Sequence, residues 1–197
     1  VRKWVRTRAL RDEIARGTVE LSGVMGPFDL SRVGDGLRAV NPDYCKDTAN
    51  TTLVLHNGRL LAQWYNAGRV HALDPLTLDT LGEEDFGGAL DTTLNAHPKV
   101  DPRNGDYLDY DYGDFKPYLT YYVVGADGRM KHRTQVDLPG PRLPHDTTFT
   151  PNYTILHDSP LYHDTEVLRR TGHRVVQFHR DQPSRFGVIP RFGTQEQ

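Results

Sequence analysis

The chain has 197 residues, with 24 Lys and Arg against 26 Asp and Glu and a formal net charge of −2. That balance argues against the basic surface of a nucleic-acid-binding domain, and 37% hydrophobic residues plus 18 glycines argue against disorder over most of the length. A single cysteine, Cys45, excludes an internal disulfide framework and most thiolate-rich metal sites. The length suits one domain or at most two small ones, and the chain is read as one domain over residues 1–197. No apolar run approaches the ~20 residues of a membrane span, and Val1-Arg2-Lys3-Trp4 is no signal peptide. The expected location is therefore cytoplasmic, and the missing initiator methionine points to a processed or partial product.

In chain order, Trp4-Val5-Arg6-Thr7 reads as strand-like, and Arg11 to Arg16 as a charged helix. Residues 22–49, rich in Gly, Pro, Asp and Ser, read as a long irregular loop of the kind that often carries function. Thr51 to His56, Asn57-Gly58 and Arg59 to Trp64 form a strand, a turn and a strand, with the strongest short hairpin signal between them. Asp74-Pro75, Asp101-Pro102 and Asp127-Gly128 are further turn dipeptides between β-branched and aromatic segments. Tyr118 to Val124 and Arg129 to Val136 make a second hairpin, and Asp164 to Arg170 is the one later helix. Short strands with turns every 8–12 residues predict an all-β sandwich, barrel or propeller.

Two of the nine histidines sit in matching surroundings, Asn95-Ala96-His97-Pro98 and Leu143-Pro144-His145-Asp146. Pro98 biases His97 toward an extended backbone, and Pro144 stiffens the approach to His145. The two are 48 residues apart, and a four-stranded propeller blade occupies about 40–50 residues. Equivalent points on adjacent blades would turn both imidazoles toward one axis, where a ring of such positions can surround a metal ion. Imidazole suits iron, zinc, copper or nickel; the ordinary alternative is a pair of strand-end histidines, hydrogen-bonded and inert. Two ligands of one ion are expected to hold their nitrogens about 3 Å apart, given metal–nitrogen bonds near 2.1 Å.

The other candidates carry less. His157 with His163 and His173 with His179 do not match common zinc spacings, and His56 reads as a hairpin-end residue. Asn50-Thr51-Thr52 and Asn152-Tyr153-Thr154 match the glycosylation sequon, which means little without a secretory signal. Cys45 has no base beside it in sequence to activate a thiol nucleophile.

Several segments in collinear order resemble the carotenoid cleavage oxygenase family, most of all its bacterial members acting on carotenoids, apocarotenoids and lignostilbenes. They are Trp4 to Thr7; Thr48-Ala49-Asn50-Thr51; Gly58 to Ala62; Leu73-Asp74-Pro75 with Thr77 to Gly82; Ala96 to Pro102; Tyr118 to Tyr121; His145-Asp146 with Thr150 to Tyr153; and Pro183 to Arg191. The resemblance implies the N-terminal blades of a seven-bladed β-propeller with a non-haem ferrous ion, Fe(2+), on its axis. Four histidines hold that ion in the family, and His97 and His145 match the first two. The implied reaction is cleavage of a carbon–carbon double bond by O2 to two carbonyl products, with an apolar small molecule as substrate. A substrate that apolar implies peripheral contact with a membrane, although no amphipathic insertion helix is legible.

Three departures from the family pattern stand out. The family's chains are more than twice this length, with the third and fourth histidines in later blades. Tyr65 stands where the family usually places a glutamate that hydrogen-bonds a ligand histidine, in a segment one residue longer. Trp64 stands where the lignostilbene branch has a lysine, which resembles the carotenoid side. A non-catalytic propeller fragment and a stilbene-cleaving enzyme are the alternative readings.

Overall fold

The computed structural model describes residues 2–24, 26–27, 45–65, 68–113 and 116–197. Most of the long loop expected over residues 22–49 lies outside the described residues.

The first element is helix α1 (Arg8–Arg16), three residues longer at its start than its charge pattern predicts. Capping explains the extension: Thr7 accepts from the Leu10 backbone N–H, and the Asp47 carboxylate takes those of Arg8 at 3.0 Å and Ala9 at 2.9 Å. Such caps satisfy amide donors that the first helical turn leaves orphaned. Trp4 to Thr7 forms no strand, contrary to expectation. A strand needs a neighbour's backbone ladder, and here the Arg6 N–H instead reaches the Thr80 hydroxyl at 3.0 Å.

Two antiparallel four-stranded meanders follow. The first comprises β1 (Thr52–His56), β2 (Arg59–Gln63), β3 (His71–Leu73) and β4 (Thr80–Glu83), hydrogen-bonded in that order. Asn57 and Gly58 close its first hairpin with φ of 46° and 72°, the double positive φ that a two-residue turn requires and Asn-Gly tolerates best. The second comprises β5 (Lys99–Val100), β6 (Tyr107–Tyr112), β7 (Leu119–Val124) and β8 (Met130–Val136). Asp74, Asp101 and Asp127 all fall between strands as expected, and Asp74 Oδ1 accepts the backbone N–H groups of both Leu76 and Thr77 at 2.8 Å.

A third sheet has the order β13 (Arg185–Pro190), β10 (Tyr153–Asp158), β9 (Thr147–Phe149). Between β10 and β13 the chain makes an excursion through β11 (Leu161–His163), helix α2 (Thr165–Thr171) and β12 (Val176–Phe178). The sheets begin at Thr52, Lys99 and Thr147, so their starts recur at nearly the interval that separates His97 from His145.

The second sheet lies between the other two. One face, through Tyr107, Tyr122 and Val124, packs with Leu61, Val70, Ala72 and Phe86 of the first sheet and its loops. Its opposite face, through Leu108, Tyr110, Tyr121 and Val123, packs with Leu156 and Ile189 of the third. Every residue of β7 is consequently buried, and each large side chain so buried contributes about 1.5–3 kcal/mol. At the rim the hairpin tips of the first two sheets touch: Asn57 Nδ2 donates to the Asp127 carbonyl at 3.2 Å. Gly128 there has φ of 80°, a left-handed conformation that glycine adopts without strain, and a Cβ would lie 2.6 Å from that nitrogen and push the amide aside.

Candidate metal centre

His97 and His145 occupy the lead-ins to β5 and β9, two residues before each strand rather than within it. Although they belong to different sheets, their Nε2 atoms lie 3.0 Å apart, with ring centroids 4.7 Å apart and planes inclined by 41°. His97 is half-buried and His145 exposed. Burial holds His97 below the ordinary imidazole pKa; Asp146 opposes the shift, while His145 and Lys99 reinforce it. A depressed pKa keeps the ring neutral at pH 7, the state in which imidazole offers a lone pair.

Two kinds of tie align the lead-ins. At the surface Lys99 Nζ donates to Asp146 Oδ1 at 2.6 Å, an ion pair with both side chains partly exposed. Beneath it, Asn95 Nδ2 donates to the His145 carbonyl at 3.2 Å, and Tyr110 Oη donates to the Pro144 carbonyl at 2.7 Å. Asn95 is itself held: its N–H donates to the Tyr110 carbonyl at 2.8 Å, and its carbonyl accepts from Gln63 Nε2. Gln63 belongs to the first sheet, Tyr110 to the second and His145 to the approach of the third, so three sheets meet at this joint.

A buried acid adjoins the joint. Asp109 Oδ2 accepts from Gln63 Nε2 at 2.6 Å and lies 2.9 Å from Tyr107 Oη, which is also 2.7 Å from Gln63 Oε1. The single phenolic hydrogen serves one of those oxygens, and a proton on Asp109 completes the set. Burial pushes the Asp109 carboxyl up to about 7, so it holds its proton far above the usual carboxylate range.

Two imidazole nitrogens at this separation fit a metal ion as adjoining ligands, and equally share a proton between two neutral rings. Among the described residues no group of three or more His, Cys, Asp or Glu could hold a metal ion. Tyr65 stacks on Tyr112 with centroids 6.3 Å apart and planes inclined by 10°.

Three of the other histidines pack against aromatic rings. His157 stacks on Phe186 and His179 on Tyr162, while His56 ends β1 against Tyr107 and Phe86. Cys45 is buried, and desolvation pushes its thiol up to about 11, which leaves little thiolate for nucleophilic chemistry. Asn95 and Tyr110 went unread at the sequence level. The one available signal was the asparagine inside the Asn-Ala-His-Pro segment, because a short amide beside a fixed turn is a natural backbone clamp.

The chain matches the retinal pigment epithelial membrane protein family over residues 1–197. A similar relative is carotenoid 9,10(9',10')-cleavage dioxygenase 1 of Arabidopsis thaliana, 31% identical over 207 residues that span 100% of this chain and 38% of the relative. Among solved structures, lignostilbene dioxygenase of Pseudomonas brassicacearum superposes with a TM-score of 0.76 at 33% identity, over 96% of this chain and 38% of its own. The cobalt-substituted apocarotenoid oxygenase of Synechocystis gives a TM-score of 0.76 at 30% identity, over 97% of this chain and 42% of its own. The chain thus spans about two fifths of the length of these relatives. A match running from the first residue to the last, at such identity, means that the chain belongs to the carotenoid cleavage oxygenase family.

Proposed function

We propose that this chain contributes successive blades of a seven-bladed β-propeller and half of the ligand set of a ferrous centre that cleaves a conjugated carbon–carbon double bond. The observation that carries the reading is the 3.0 Å separation of His97 Nε2 and His145 Nε2 across two sheets. The substrate class is an apolar polyene or stilbene, as in the names of the relatives, and Trp64 favours a carotenoid or apocarotenoid. In the overall reaction an alkene and one O2 give two carbonyl products: both carbon–carbon bonds of the alkene break, and each carbon takes one oxygen atom.

Ferrous iron, when bound, supplies the redox chemistry that lets ground-state O2 react with an alkene. The protein's part is geometric and electrostatic. His97 stays neutral because burial lowers its pKa, and so presents a lone pair rather than a charge. Pro98 and Pro144 restrict the backbone on either side of the pair, which lowers the entropic cost of holding two ligands in register. His97 and His145 would hold the ion together with two further histidines that the family resemblance implies in later blades.

Bound iron per chain and carbonyl products from an apocarotenoid and a hydroxystilbene under O2 test this reading. In an enzyme carrying all four histidine ligands, His97→Ala and His145→Ala should each abolish iron retention and cleavage while the β-sheet circular dichroism stays unchanged. In residues 1–197 alone the same substitutions should change almost nothing. Full iron and full cleavage in His97→Ala would overturn it. The second reading, a propeller segment without catalysis, is favoured by Tyr65, whose ring lies in the Tyr112 stack where the family has a carboxylate. Tyr65→Glu separates the two: a carboxylate supporting a ligand imidazole should raise iron retention about tenfold. A non-catalytic segment should show no change.

A further inference from the structure

We infer that Asn95, with Tyr110 behind it, is the positioning residue that sets the spacing of the His97–His145 pair. The inference rests on the reading of those histidines as metal ligands. The distance between two side chains on separate sheets is decided by where their backbones lie, and nothing in the covalent chain fixes that across 48 residues. The exposed Lys99–Asp146 pair is too solvated to hold it tightly, since surface ion pairs contribute little and fade with salt.

Asn95 and Tyr110 are suited to the task. Both are almost completely buried, at 1% and 0% exposure. They donate to successive carbonyls of one segment, Tyr110 to Pro144 and Asn95 to His145. Two hydrogen bonds to adjacent peptide units fix both the position and the rotation of that segment, where one would leave it free to swivel. Asn95 precedes His97 by only two residues, so the residue that grips the His145 peptide also carries the lead-in of His97. Gln63 closes the joint from the first sheet by donating to the Asn95 carbonyl. The clamp works through backbone carbonyls, and neither of its two hydrogen bonds uses an imidazole nitrogen.

The test uses Cu(II)–nitrilotriacetate, which a pair of suitably placed imidazoles captures, with pulsed electron paramagnetic resonance to count the coordinated imidazole nitrogens. Wild-type protein should show two imidazoles and His145→Ala one. Asn95→Ala and Tyr110→Phe should each weaken capture by about tenfold and shift the population toward one imidazole. The double variant should resemble His145→Ala. Tyr110→Phe keeps the ring and its packing, so it decides the matter even where Asn95→Ala fails to fold. Variants that melt at lower temperature yet keep two imidazoles and wild-type affinity would make the clamp merely structural and overturn the inference alone. A wild-type protein showing one imidazole would overturn the ligand-pair reading, and this inference with it.

Discussion

The second and third sheets are built from the same kind of short antiparallel strands, yet their surroundings differ. Strand β7 is buried at every position because partners cover both faces of its sheet. Strand β13 is mostly exposed, with Phe186 at 70% and Val188 at 59%, and only Ile189 fully engaged with the neighbouring core. The difference teaches that strand patterning reports how many faces are covered. The run Leu119-Thr120-Tyr121-Tyr122-Val123-Val124 is near-continuous apolar and aromatic surface, as a strand buried on two sides must be. The alternation of β8, half-buried then exposed, belongs to a strand at the sheet's edge.

The same contrast extends to buried charge. Asp101 and Asp109 both lie fully buried in the second sheet or its first turn. Arg103 holds the Asp101 carboxyl far below the usual carboxylate range, with Arg191 adding to it at 2.6 Å from β13's end. Among the described residues Asp109 accepts hydrogen bonds from neutral donors only, and burial drives it the other way. One aspartate fastens two sheets as an anion; the other completes a hydrogen-bond network as an acid.

Leu108→Ala should expose the contrast most strongly. Removing a side chain that is 1% exposed, between two sheets, should cost about 4 kcal/mol in chemical denaturation. Phe186→Ala on the open face should stay within about 0.5 kcal/mol. Equal losses would mean that the outer face of the third sheet is covered in solution. Next in size is Arg191→Met, which strips Asp101 of its buried partner and should cost about 3 kcal/mol. An unchanged midpoint would show that Arg103 alone satisfies Asp101.

A pH dependence follows Arg191→Met in size. The folded-state pKa of Asp109, about 7, lies above its unfolded value near 4, so the folded chain binds this proton more tightly. That contribution is complete below pH 4 and is lost as pH rises through about 7. Between pH 5 and 8 the wild type should therefore lose on the order of 2 kcal/mol relative to Asp109→Asn. Parallel pH profiles for the two proteins would place an ionised carboxylate at the joint.

Sequence by itself determined what depends on neighbours a few residues away. The Asn57-Gly58 hairpin, the Gly125-to-Gly128 reversal, the Asp74 and Asp101 turns and helix α2 follow from φ preferences and side-chain-to-backbone bonds that close locally. The prolines beside His97 and His145 and their 48-residue interval were likewise legible, and they singled out the pair. Tertiary structure alone decided the rest. Trp4 to Thr7 carries strand-forming residues but finds no ladder to join, because strand formation depends on a partner edge that propensity cannot supply. The 3.0 Å approach of the two imidazoles, the grip of Asn95 on the His145 peptide and the bond from Arg191 to Asp101 join residues 48, 50 and 90 positions apart. Contacts at such separations are set by how the sheets stack, and stacking is governed by the summed burial of the faces between them rather than by any one segment.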